Sequence, residues 1–253
     1  MRHNDPLALA TLAACLCQAG TAIATVTIAP DEDVMTSGFF FEPNTVRGYA
    51  GEGRNVLRVS TTNAFGVGGA ETIYIDFSGF DFAGTFSSAP AVTAVLSVES
   101  VSGGFGADAG PDAPFTVSAH GLSEDPLLAI TDDTNPSGPT NWLDFFNDEI
   151  LPADPAALTV VDSFGTVTFD VSALVNDWIA QGPGAIETIA LTGINDTSGA
   201  DFLHGFLNNG ENPGSTSLAV TPVPVPGALV LFASALASFS TLRRRAQIGR
   251  AHV

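Results

Sequence analysis

Val167-Thr168-Phe169-Asp170-Val171-Ser172-Ala173-Leu174-Val175-Asn176-Asp177-Trp178 changes its hydrophobic period midway. Up to Val171 the pattern alternates. Val167, Phe169 and Val171 share one side; Thr166, Thr168 and Asp170 share the other. Successive side chains of a strand point to opposite faces, so this half predicts a strand with one apolar face. Beyond Ser172 the apolar residues fall at Leu174, Val175, Trp178 and Ile179, the stripe of an amphipathic helix. Ser172 is the predicted N-cap and Gly182 the predicted stop.

The same period of two recurs on both sides of this stretch. Ile73, Ile75 and Phe77 oppose Thr72, Tyr74 and Asp76. Ala94, Leu96 and Val98 oppose Thr93, Ser97 and Glu99. Phe115, Val117 and Ala119 oppose Thr116, Ser118 and His120. Shorter runs lie at Val56 to Ser60, Leu158 to Val161, Thr188 to Thr192 and Ser217 to Thr221. Turn-forming clusters separate them, as at Asp132-Asp133-Thr134-Asn135-Pro136 and Asn208-Asn209-Gly210. Many short strands predict an all-β antiparallel sandwich, each sheet with one buried and one wet face. A second short helix is a candidate over Asn141 to Ile150, with Trp142, Phe145 and Phe146. No internal repeat interrupts one domain over residues 25–221.

The strand-to-helix passage Phe169-Asp170-Val171-Ser172 into Leu174-Val175-Asn176-Asp177-Trp178 resembles DNRLRE-type (disaggregatase-related) domains and neighbouring carbohydrate-binding sandwiches. Asn55-Val56-Leu57-Arg58-Val59, Tyr74-Ile75-Asp76-Phe77-Ser78, Thr93 to Val98 and Ser217 to Val220 fit the same order. Asp76 stands before Phe77 where the family's aspartate follows its phenylalanine. The resemblance implies a jelly-roll-like β-sandwich that binds polysaccharide, often with a structural Ca²⁺.

Both chain ends read as addresses. Arg2, the apolar run Leu7 to Cys17, and Ala22-Ile23-Ala24 form a signal peptide over residues 1–24 with a small-x-small cleavage site. Leu12-Ala13-Ala14-Cys15 also fits a lipobox, which would lipidate Cys15. At the other end, Val223-Pro224-Val225-Pro226-Gly227 precedes an uncharged run to Leu242 and the basic stop Arg243-Arg244-Arg245. As a helix, Gly227 to Leu242 would be about 24 Å long, against a hydrocarbon core of about 30 Å. The arginines would stay cytoplasmic, leaving the rest outside. An ordinary single-pass anchor has this form. The proline motif makes residues 222–246 resemble the VPLPA-CTERM variant of PEP-CTERM sorting signals, with Val and Gly in place of the family's Leu and Ala. That resemblance implies signal peptidase and an exosortase-type transpeptidase as partners. It also implies transient anchoring by one transmembrane helix, then delivery to the envelope or exopolysaccharide matrix of a Gram-negative bacterium. Ile248 to Val253 is what ATC GGA AGA GCA CAC GTC encodes, a common sequencing adapter in frame. The natural product is therefore expected to end near Ala246, with residues 247–253 an artefact.

Residues 25–224 contain no lysine and three arginines against 26 carboxylates, a net charge of −23. Nucleic-acid binding needs a basic surface and is excluded as a role for this domain. Without lysine there is no P-loop and no Schiff-base chemistry. Both cysteines lie in the signal, so the exported domain has no disulfide and no thiolate nucleophile.

Arg47, Arg54 and Arg58 lie close in sequence and form the candidate grip for an acidic glycan, since guanidinium binds carboxylate or sulfate bidentately. Trp142 and Tyr74 are candidates for stacking on sugar rings, whereas Trp178 sits on an apolar stripe and reads as core. Asp31-Glu32-Asp33, with Asn195-Asp196 and Asp201, are the candidate ligands of a Ca²⁺ shared across the sandwich. No Gly-x-Ser-x-Gly elbow and no His-Glu-x-x-His pair is present. The expected function is non-catalytic carbohydrate binding in the extracellular matrix. A structural coat protein without a specific ligand and a polysaccharide-cleaving enzyme are the alternatives.

Overall fold

Alternation becomes two antiparallel sheets in the computed structural model, which describes residues 24–36, 46–47, 56–61, 71–103, 108–130 and 145–224. The first sheet contains β1 (Val26–Ile28), β4 (Val56–Ser60), β6 (Val92–Ser102), β9 (Gly165–Asp170), β11 (Leu203–Leu207) and β12 (Thr216–Pro222). The second runs in the order β3 (Val46–Arg47), β2 (Glu32–Thr36), β5 (Thr72–Asp76), β10 (Thr188–Thr192), β7 (Phe115–Gly121), β8 (Ala157–Val161).

The long strand β6 organises the first sheet. One of its edges takes β9, from Val95 opposite Asp170 to Ser100 opposite Gly165. Its other edge takes β12 along Val92 to Val98 and β11 along Ser100 to Ser102. β11 and β12 are thus one line interrupted by an outward excursion, and the Glu99 N–H donates to Ser215 O at 2.9 Å where the line resumes. β4 and β1 flank this line in the same end-to-end manner. The first and last strands therefore lie side by side, with the Thr25 and Thr221 hydroxyls 2.7 Å apart.

The inner faces meet in one core. Ala94, Leu96, Val98, Val167, Phe169, Leu218 and Val220 come from the first sheet; Ile73, Ile75, Val117, Ala119, Ile189 and Leu191 come from the second. Each buried Leu, Ile, Val or Phe side chain contributes about 1.5–3 kcal/mol over leaving it in water. The predicted helix is Ser172–Gln181 (α3 below), after α1 (Phe82–Phe86) and α2 (Pro126–Ala129). Trp178 is in the core as expected and meets Phe82 edge-on at 5.3 Å. Gly182 ends the helix at φ +73°, a conformation glycine adopts without strain.

Two expectations need correction. Ser172 is inside the helix, not at its cap. Asp170 takes the capping role instead, its Oδ1 accepting from the Ser172 N–H at 3.1 Å and hydroxyl at 2.6 Å. The outer face of the second sheet is also not wet. Val34, Tyr74 and Ala190 on that face are buried with Ile130, Phe145, Phe146 and Ile150. Residues Phe146–Ile150 form a π-helical turn, which puts Phe146 and Ile150 on the same covering surface.

The signal peptide with Ala22, and residues Arg54, Trp142, Val225, Pro226, Gly227, Arg243, Arg244 and Arg245, lie outside the described residues. Among the described residues no helix is long and apolar enough to cross a membrane.

Candidate functional site

The arginine patch is divided by the fold. Arg58, on β4, forms an ion pair with Glu71 at 3.2 Å, and both side chains are largely buried. Its guanidinium is committed to Glu71, not presented to a glycan carboxylate. Arg47 is a backbone partner of Met35 at the second sheet's edge. Tyr74 is 1% exposed and packs edge-on against Phe145, so no sugar ring can reach its face.

The expected Ca²⁺ ligands are not brought together. Glu32 pairs with Asp76, and Asp76 with Thr188, at one end of the second sheet. Asn195 and Asp196 lie beyond Thr192 at the other end of β10, at least four residues along, or about 13 Å at strand rise. Asp31 accepts from the Gly79 N–H at 2.7 Å. Asp33 is buried and accepts from the Asn209 N–H at 2.7 Å; burial pushes its carboxyl up, with the loop N–H groups opposing the shift. Asp196 binds the Thr116 N–H at 2.9 Å and the Ser198 hydroxyl. Asp201 is exposed. Among the described residues, no group of three or more His, Cys, Asp or Glu side chains is placed to hold a metal ion.

The fold instead gathers Asp31, Asp76 and Asp81 around Glu187. Burial, and then repulsion from Asp76, Asp81 and Asp31, pushes the Glu187 carboxyl up to about 7. The three aspartates each serve a turn. Asp31 accepts from Gly79, Asp76 from the Ser78 hydroxyl at 2.7 Å, and Asp81 from the Gly84 N–H at the start of α1.

Beside this end of the sandwich lies an open cleft of about 350 Å³ between α3, the end of β7 and the π-helical turn. The helix approaches closely because position 121 is glycine: a Cβ there would collide with Leu174. Leu122, Leu174 and Ile186 give the cleft apolar wall, and Trp178 packs beneath it. Ser123, Asp148, Glu149, Asp177 and Gln181 give it polar rim. Glu149 is already bound by Ser123, whose N–H and hydroxyl donate at 3.0 and 2.7 Å. Asp148, Asp177 and Gln181 are exposed.

At the opposite pole, His204 stands between Ser100 and Asp108. Its Nε2 is 2.6 Å from Ser100 Oγ, and its Nδ1 is 3.9 Å from Asp108 Oδ1. This composition invites comparison with a hydrolytic triad. Its proton arrangement is the reverse. The Ala109 N–H donates to Nδ1 at 3.2 Å, so Nε2 carries the ring proton and donates to Ser100. Ser100 in turn donates to Ser163 O at 3.4 Å and is 1% exposed. A triad needs an accepting Nε2 beside an accessible serine. This cluster is a structural tie.

The second sheet's covered outer face holds another polar group. Thr36 Oγ1, Tyr74 OH, His120 Nδ1, Thr192 Oγ1 and Asn195 Oδ1 are sealed from solvent with no hydrogen-bond partner among the described residues. Thr36, Tyr74, Thr192 and His120 alternate with core residues, so they share this face. Burial pushes the Tyr74 hydroxyl beyond its ordinary range, with Thr36 opposing the shift, and pushes the His120 imidazole down, with Asn195 opposing. An unsatisfied buried group costs about 1–3 kcal/mol. Tyr74, Ser118 and His120 read as wet-face residues in the sequence because no local signal announces what later packs over a strand.

No protein-family model matches the chain, and no curated protein is significantly similar to it.

Proposed function

We propose that the chain is an exported carbohydrate-binding β-sandwich of a bacterial envelope or exopolysaccharide matrix. The cleft beside α3 is the observation that carries this reading. Its exposed carboxylates and amide accept hydroxyl protons, while Leu122, Leu174 and Ile186 offer apolar surface to sugar C–H faces. Among the described residues no cation lines it, so a neutral or amino-substituted glycan fits better than an acidic one. The strand order supports the finer fold reading. The β1/β4, β11/β12, β6, β9 layer over the β5, β10, β7, β8 layer is the order a jelly roll would take, with β2 and β3 as an inserted excursion. The terminal sequences support export, exosortase sorting and transient membrane anchoring. Ca²⁺ remains part of the proposal through the resemblance alone.

Pull-down and calorimetry with native exopolysaccharide and with neutral and acidic oligosaccharides, each with and without Ca²⁺, test it. Asp177→Ala and Gln181→Ala are each expected to weaken neutral-glycan binding about tenfold, or about 1.4 kcal/mol. Absence of binding to every glycan sinks the reading, and binding unchanged by both substitutions removes the cleft from it.

A further inference from the structure

We propose that the covered outer face of the second sheet is an enclosed site for hydroxyl donors, centred on His120 Nδ1 and Asn195 Oδ1. The proton positions follow from the chain of bonds. Ser118 Oγ donates to Thr192 O at 3.1 Å, because a carbonyl can only accept. The Ser118 oxygen is therefore the acceptor for His120, whose Nε2 lies 3.0 Å away and carries the ring proton. Nδ1 is left as a bare lone pair, buried and without a partner among the described residues. Asn195 Oδ1 is a second unpartnered acceptor beside it. Across the sheet, register places Ala190 between His120 and Tyr74, and Thr192 opposite Ser118. The Thr36, Tyr74 and Thr192 hydroxyls on the same face can each donate or accept.

The complementary ligand is neutral and presents O–H groups. Internal water and the hydroxyls of a neutral sugar share this chemistry. The sugar arm of the proposal rests on the carbohydrate-binding reading; the hydroxyl-donor site itself does not.

Long-range proton–nitrogen spectra of the full chain labelled with ¹⁵N-histidine test it. His204, whose Nδ1 accepts from a backbone N–H, is the internal reference. The expected result is a neutral His120 with Nδ1 shifted as a hydrogen-bonded acceptor. This shift should persist in Asn195→Ala, which lacks a side-chain amide donor and adds no charge. Loss of the shift in that variant overturns the proposal by showing that a rotated Asn195 amide was the partner. An unshifted Nδ1 in the parent overturns it also. Thr192→Val supplies a second readout: melting at or below the parent temperature supports a hydroxyl that is in use, and a clear rise overturns it. Adding neutral oligosaccharide distinguishes the sources. Movement of the His120 signals identifies sugar hydroxyls; unchanged signals with the acceptor shift intact identify water. Failed glycan binding in pull-down would sink the carbohydrate reading while leaving the tautomer and Thr192 results intact.

Discussion

Single side chains in this fold often replace missing backbone partners. Asn176 accepts from the Val92 N–H at 2.9 Å and donates to Val92 O at 2.8 Å, so one amide acts as a strand neighbour for the start of β6. Asn176→Ala strands both groups and is expected to cost about 2 kcal/mol, read as a lower urea midpoint. Asn176→Asp retains the acceptor alone and should lie between. Glu187 gives a pH signature. Its carboxyl is raised from 4.5 to about 7 on folding, so the folded state holds its proton more tightly. Stability should fall as pH rises from 4.5 to 7 and flatten above it. Glu187→Gln should remove that slope in thermal melts; an unchanged slope would show that other groups cause it. Asp170 acts oppositely, since its bonds from Ser172 lower its carboxyl, and its contribution is lost only below its ordinary range. Arg58 could be read as an outward residue on an apolar strand, but Glu71 lies 13 positions away and no spacing rule pairs them.

Elements were more legible than the surfaces between them. Alternation in Val92–Ser102 and Gly165–Asp170 located both strands and their buried faces, because a period of two leaves little choice of side. The stripe Leu174, Val175, Trp178, Ile179 located α3 for a similar reason. The covering of the second sheet was not legible, since it depends on Phe145, Phe146 and Ile150 folding back over Tyr74 and Ala190. The cleft was equally hidden: its rim combines Ser123, Asp148 and Gln181 from three separate segments. Trp178 of α3 packs on Phe82 of α1. Trp178→Ala should cost about 3–5 kcal/mol in chemical denaturation. Binding at the cleft should weaken with it even where the sheets remain folded by circular dichroism.

At the scale of the molecule, charge and closure pull against each other. Residues 25–224 carry 26 carboxylates and three arginines. Self-repulsion of this kind opposes compaction and is screened by salt. The melting temperature should therefore rise with ionic strength; a fall would mean that ion pairs such as Arg58 with Glu71 outweigh the repulsion. Closure comes from β1 zipped against β12, with Thr25 beside Thr221. The chain thus enters and leaves the sandwich at one pole, the pole that also bears α3 and the cleft. A short linker from Val223 back to Thr25, with new ends opened at the turn Asp162 to Phe164, would give a circular permutant that keeps every strand register. Its ends would emerge near Ser100 and Gly165, at the far pole. Tethered through those ends, the same domain would stand upside down, and comparing the two tethers would report whether the cleft works facing its support or facing away from it.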